Sequence, residues 1–252
     1  MEYNIKTMDA LNFYNEKDET YRTLDQGNRI RNTHNFIKSV LIKQFVSQKK
    51  KILDLGCGQG GDLIKLKYSS PSLYVGLDIS SKAIVNAQHR ASKINLNCRC
   101  YFLCVDFTTH DWNGYPPYDV INCQFALQFA FKNIETATHT IEKVSRFLVE
   151  NGLFIGTIPN HSNNKTYDEV VVKLPDDDRT CKEYAINIDD LLNLCEKYNL
   201  HVVLLEKFET FFKHAYKTEK LLAEKMKADV SPDPNNYVFV FQKRTQITNS
   251  IL

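Results

Sequence analysis

The chain has 252 residues, of which 43% are hydrophobic and 25% charged, the balance of a globular protein able to bury a sizeable core. Its formal net charge is +2, so a polyanionic partner would need a local basic patch rather than a global field. No apolar run reaches the roughly 18 residues of a membrane helix, and MEYNIKTMDALNF lacks the basic-then-apolar order of a secretory leader, so neither is expected.

In chain order, RIRNTHNFIKSVLIKQFV (29–46) carries apolar residues at helical spacing. KKILDL (50–55) is a strand that runs into a glycine-rich turn, and a helix opens at 60–68. LYVGLD (73–78) is a second strand, and Ser80 caps a helix to about Lys93. CRCYFLCVDF (98–107) and YDVINC (118–123) are further strands, followed by a helix over 133–149 and the strand GLFIGTIP (152–159). Asp189 or Asp190 begins a helix to Tyr198. HVVLLEKFETFF and NYVFVFQK are late strands, with a Lys-rich helix near 216–227 between them. This alternation predicts an α/β fold with a mainly parallel sheet covered by helices on both faces. One domain over 1–252 is expected, frayed at 1–12 and 244–252, with 160–187 inserted as a small hairpin over the sheet edge.

The 7 cysteines are an odd number, and several sit in apolar strand-like runs, which reads as buried free thiols in a reducing compartment. Cys98, Cys100 and Cys104 alternate as a strand does, without a second Cys/His pair at finger spacing, so no metal is expected.

ILDLGCGQGGDLIKL (52–66) carries the chemistry. A strand delivers Gly56, Gly58, Gly60 and Gly61 to a helix start, where missing β-carbons permit a sharp turn and close ligand approach. Asp54 precedes the first glycine by two residues, Asp78 ends the next strand 22 residues after Gly56, and Asp106 ends the third. An acid beside the glycines suits a cationic ligand better than a pyrophosphate, which would want the bare helix N-terminus. S-adenosylmethionine carries an ammonium and a sulfonium and no phosphate. Asp78 would accept both ribose hydroxyls and Asp106 the adenine amino group. A turn or cap role is the plain alternative for each Asp taken singly. The run resembles the class I methyltransferase motifs, which implies a Rossmann-like fold with seven strands and S-adenosylmethionine as cofactor, without a metal.

Four stretches, RNTHNFIKSVLI (31–42), DLGCGQGGDLIK (54–65), CQFALQFAF (123–131) and GTIPN (156–160), resemble the mRNA cap guanine-N7 methyltransferases, as do the shorter CKEYAI (181–186) and NYVFVFQK (236–243). The resemblance implies methyl transfer to guanine N7 of a capped RNA 5′ end, GpppN, with S-adenosylhomocysteine as product. It implies that Lys38 meets the carboxylate of the methionine moiety, that Gly56, Gly58, Asp78 and Asp106 hold the cofactor together with Asp54, and that Gln124 and Phe129 line it. Glu183 becomes the reader of the guanine edge, since a carboxylate accepts from N1–H and the exocyclic amine at once. Tyr237 and Pro159 would wall the base, Gln128 would bond the cap, and Lys65 and Arg90 would meet the triphosphate. Solvated or core roles remain the alternatives at these positions.

The chain departs from the family pattern at His34, where an Asn is common, at Gln59, where a Lys is common, and at Gln128-Phe129, where His-Tyr is usual. Guanine N7 has a lone pair at neutral pH and loses no proton, so no catalytic general base is expected and positioning is the protein's contribution. The resemblance further implies a monomer that works beside other capping enzymes, away from membranes, in the nucleus or alternatively the cytoplasm. A methyltransferase for a small amine or another RNA base, and a silent binding subunit on the same fold, are the competing readings.

Overall fold

The computed structural model describes residues 7–16, 25–48, 50–112, 116–159, 161, 164–173, 180–229, 231–232 and 235–245. Its centre is a seven-stranded sheet in the order β4 (Arg99–Cys104), β3 (Leu73–Asp78), β2 (Lys51–Leu55), β5 (Tyr118–Gln124), β6 (Leu148–Pro159), β10 (Asn236–Lys243), β9 (Leu200–Lys207). β10 alone runs antiparallel to its neighbours β6 and β9. The chain goes outward from β2 through β3 to β4 and returns to β5 on the other side of β2, all in parallel. That reversal opens a crevice beyond the carboxyl ends of β2 and β5, the place where such sheets bind ligands.

Side-chain alternation along the strands divides the core in two. Leu53, Ile121, Phe154, Phe239 and Phe241 pack on one face with α5 (Ile134–Phe147) and α6 (Ile188–Lys197). Ile52, Val120, Ile155, Val238 and Val240 pack on the other with α2 (Asp25–Phe45), α7 (Phe208–Thr218) and α8 (Lys220–Met226). Each fully buried Phe or Leu contributes about 1.5–3 kcal/mol of transfer free energy, so truncating Phe239, 0% exposed, would cost about 3–5 kcal/mol. Helix starts follow side-chain caps: Ser80 accepts from the Ala83 amide ahead of α4 (Ser81–Ile94), and Asn133 from Thr136 ahead of α5.

Several expectations are corrected. FETFF is not strand: β9 ends at Lys207, and Phe208, Phe211 and Ala215 form the buried stripe of α7. The helix expected from Asp189 or Asp190 starts at Ile188, because Asn187 is its cap. Residues 7–12 do not simply fray. Thr7–Met8 form β1, which pairs with β8 (Thr180–Tyr184), and α1 (Ala10–Glu16) follows. β7 (Glu169–Lys173) and β8 form a hairpin, and with β1 they make a three-stranded sheet separate from the main one. That sheet packs through Cys181 against Phe13 and, around them, Tyr14 and Phe129. At the C-terminus the amides of Arg244 and Thr245 still bond Asn199 and Glu150, and 246–252 lie outside the described residues, as do 1–6 and Asn160. Among the described residues no helix is long and apolar enough to cross a membrane.

Candidate active site

A cavity of about 990 Å³ sits at the carboxyl ends of β2, β3, β4 and β5, lined by the glycine turn, Asp78, Asp106–Thr109 and Gln124–Ala126. The turn is built around positive φ at Gly56 (66°) and Gly58 (52°). A β-carbon on Gly56 would lie 2.4 Å from the Ala126 β-carbon, whereas one on Gly58 would meet nothing within 4 Å. Gly56 is thus needed for packing against the β5 loop, and Gly58 leaves open space on the cavity side.

Asp78 lines this space and braces the turn. One carboxylate oxygen accepts from the Gly58 amide at 2.8 Å and the other from the Ser80 amide at 2.9 Å. Each oxygen keeps a lone pair for a vicinal diol. Burial raises the Asp78 carboxyl above its ordinary value, against those two amides. Asp106 accepts on one oxygen from the Thr108 amide and hydroxyl at 2.9 and 2.7 Å. Lys38 reaches the cavity from α2, 3.0 Å from Asp62, a residue the sequence reading did not single out. Burial alone would raise Asp62, but the ammoniums of Lys38 and Lys65 hold it well below the usual carboxylate range. Gln124 donates to the Asn122 side-chain oxygen at 2.8 Å and accepts from the Thr157 hydroxyl at 3.1 Å, which fixes its amide at the cavity wall.

Asp54 and Lys65, expected at the cofactor and the triphosphate, do not line the cavity. Asp54 is 3% exposed and both its oxygens are taken, by the Tyr74 hydroxyl and the Asn122 amide, each at 2.7 Å. Burial, then the nearby Asp62, pushes its carboxyl up to about 7. It supports the floor of the site rather than facing a cation in it. Lys65 is 8% exposed and spends its ammonium on Asp62, Gly61 and Asn35 at 2.7, 3.0 and 3.1 Å. No donor is left over for a triphosphate. Arg90 does line the cavity, and so do Arg31, Lys132 and Lys182, which the sequence reading passed over.

The other expected residues sit on the segment after β5, on β8 and at the neighbouring ends of β6 and β10. The chain leaves β5 through Phe125, whose positive φ (54°) aims its ring at the His34 imidazole, stacked at 5.5 Å. It then enters a 3₁₀ segment, Leu127–Lys132. Within that segment Phe129 lines the cavity and meets the Tyr14 ring edge-on at 6.3 Å. Its neighbour Gln128 is 1% exposed, donates to the Phe125 carbonyl at 3.0 Å, and leaves its own side-chain oxygen without a partner among the described residues. Glu183 is 5% exposed, on the face of β8 opposite Lys182 and Tyr184, and lies 4.0 Å from the His161 imidazole. Burial raises the Glu183 carboxyl to about 7, with Gln128 acting against it. Pro159 ends β6 opposite Asn236, so Tyr237, paired with Ile158, lies at the same sheet end and packs on the core. Gln128, Pro159, Glu183 and Tyr237 are not among the residues that line the main cavity.

Tyr14 and Asp9 also line the cavity, from the N-terminal segment. Ser80 ties that segment down by donating to the Asn15 side-chain oxygen at 2.7 Å. No sequence signal marks these contacts, since β1 is two residues long and depends on β8 for its existence. Among the described residues no group of three or more His, Cys, Asp or Glu could hold a metal ion.

The mRNA (guanine-N(7))-methyltransferase domain family matches the chain over residues 3–174, more than half of it. An mRNA cap guanine-N(7) methyltransferase of Cryptococcus neoformans is 38% identical over 159 residues, 58% of this chain and 21% of that protein. One from Eremothecium gossypii is 30% identical over 236 residues, 73% of this chain and 54% of that protein. One from Oryza sativa is 28% identical over 245 residues, 79% and 65% respectively. The chain therefore spans less than two thirds of the length of each of these relatives. Among solved structures, an S-adenosylmethionine-dependent methyltransferase from Clostridium acetobutylicum has a TM-score of 0.60 at 13% identity, covering 93% of this chain and 97% of that one. One from Methanosarcina mazei has a TM-score of 0.60 at 16% identity, covering 81% and 97%. At these identities the structures attest the fold, a class I methyltransferase sheet.

Proposed function

The chain belongs to the mRNA (guanine-N(7))-methyltransferase family, and from that premise we propose that it transfers a methyl group from S-adenosylmethionine to guanine N7 of a capped RNA 5′ end. The observation that carries the reading is the division of labour across one turn. Phe129 faces the main cavity while Gln128, next in the chain, faces Glu183. Neighbouring residues of one turn thus reach the main cavity and the buried Glu183, as a wall between a methyl donor and its acceptor would.

The residues fit the cofactor. Asp78 can accept from both ribose hydroxyls while keeping its two amide bonds, and the space at Gly58 admits a ligand without steric cost. Lys38 offers an ammonium to the methionine carboxylate, with Asp62 holding it in place. Asp106, one oxygen anchored by Thr108, presents the other to the adenine amine. When bound, S-adenosylmethionine supplies an electrophilic methyl on a sulfonium.

On the acceptor side, Glu183 takes N1–H and one proton of the exocyclic amine, and the unpartnered Gln128 oxygen accepts a further one. A buried carboxylate beside the Gln128 amide suits the N1–H and amine donors of that edge. N7 surrenders no proton, so no residue needs to act as a base. The protein's task is to hold N7 in line with the methyl–sulfur bond, which gathers rate from proximity and orientation. Arg90, Arg31 and Lys132 at the cavity would meet the triphosphate charge.

Labelled methyl transfer to GpppA, against the same RNA start without a cap, tests the reading. Incorporation confined to the capped substrate is expected. Cofactor binding with no transfer to GpppA would favour a different acceptor, and no binding of S-adenosylhomocysteine would favour a silent subunit.

A further inference from the structure

Lys143 is a buried ammonium for which the transfer reaction has no use. It is 2% exposed, on α5, and donates to three main-chain carbonyls: Phe107 at 2.9 Å, Thr108 at 3.2 Å and His110 at 2.9 Å. Its ammonium also lies over the Trp112 ring, 4.9 Å from the centroid. Three N–H groups thus meet three acceptors, a complete set for a lysine. The three carbonyls belong to the loop after β4, whose residues Asp106, Phe107, Thr108 and Thr109 line the main cavity.

We propose that Lys143 is a positioning residue for the cofactor, clamping the 107–110 backbone from behind so that Asp106 and the loop meet the adenine ring in one fixed arrangement. The loop's internal bonds alone are local. The Thr108 amide and hydroxyl bond Asp106, and the Thr109 and His110 amides return to the Asp106 carbonyl. They set the turn's shape but not its place on the sheet. Lys143 supplies the tie to α5, and a buried charge satisfied by carbonyls is costly to break, which makes the tie stiff. Charged neighbours are Asp106 and Asp111, which favour the ammonium, and Arg146, which opposes it; burial outweighs them and draws Lys143 down to about 8. A neutral amine has two N–H groups for three carbonyls, so the clamp slackens as pH rises through that value.

The inference rests on the reading that this loop holds the adenine end. The test is calorimetry with 5′-methylthioadenosine and with S-adenosylhomocysteine on the full chain and on Lys143→Met. The variant is expected to bind both at least tenfold more weakly, by the same factor. Wild-type affinity for methylthioadenosine should fall several-fold between pH 7.5 and 9.5, while any affinity left in the variant stays flat. Equal affinity in the variant, or a loss seen only with the homocysteine moiety present, would overturn the clamp. Should Lys143→Met fail to fold, the wild-type pH series decides alone, and a flat series counts against the proposal. A wild-type chain that binds neither compound would overturn the cofactor reading itself.

Discussion

The glycine turn and the 3₁₀ lip are both loops at strand ends, yet they differ in how their polar groups are satisfied. At the turn, Asp78 and Asp62 are engaged by amides and ammoniums, and Lys38 and Asp78 still face open space. At the lip, Glu183 is buried beside the Gln128 amide, whose own oxygen has no partner among the described residues, and neither residue lines the cavity. The first region is preorganised for its ligand. The second holds one buried oxygen, on Gln128, without a partner among the described residues, a cost that a ligand donor would relieve.

The largest effect that would sharpen this contrast is at Asp62. Asp62→Ala leaves the buried Lys65 and the half-buried Lys38 without a counter-charge, and unfolding in urea should report a loss of roughly 3 kcal/mol together with weaker cofactor binding. Asp78→Ala comes next: affinity for S-adenosylhomocysteine should drop about 100-fold, consistent with losing two charge-assisted hydrogen bonds, while GpppA affinity is unchanged. On the other side of the comparison, Glu183→Ala should raise the GpppA KM at least tenfold, about 1.4 kcal/mol, with cofactor affinity unchanged. A loss of cofactor affinity there would merge the two regions into one.

A smaller effect is in pH. Glu183 is raised to about 7 by burial, so the free protein carries it half-protonated near neutrality. The N1–H and amine donors of guanine bind the carboxylate rather than the neutral acid. The GpppA KM should therefore fall a few-fold from pH 6 to 8, and Glu183→Gln should flatten that slope. Stability runs the other way. Asp54 and Glu183 both have folded values near 7, above their unfolded ones, so their contribution is full below about pH 4 and lost as pH rises through 7. Asp62, held low, acts only at more acid pH, where its contribution is lost. Thermal midpoints of the ligand-free protein should decline from pH 5.5 to 8. Smallest of all, Arg90→Ala should raise the GpppA KM several-fold, and more so at low salt. Lys65→Met should show its effect in stability instead.

The cavity-lining glycines, Asp78 and Asp106 were legible because they follow local order: strand, glycines, helix, and an acid at or just past each strand end. Its two misplacements come from pairing that spacing does not display. Asp54 sits in register with Asn122 across β2 and β5, and a buried Tyr74 hydroxyl two strand positions away needs an acceptor. For Lys65 a signal was present, since Asp62 stands one helical turn before it and i,i+3 partners meet. FETFF misled because phenylalanines favour strands, although Phe208, Phe211 and Phe212 already had helical spacing. The acceptor half was legible only through family resemblance. Gln128 and Glu183 are 55 residues apart in the chain, and nothing local announces that they meet. The N-terminal strap is further from view, because two residues of strand carry no pattern of their own.

If the two regions together methylate guanine at N7, the position of the transferred methyl shows it. GpppA is incubated with the chain and methyl-labelled S-adenosylmethionine, then digested to nucleosides and bases. The label is expected in 7-methylguanine. Label in the adenosine, on a ribose, or in no nucleoside at all would contradict it.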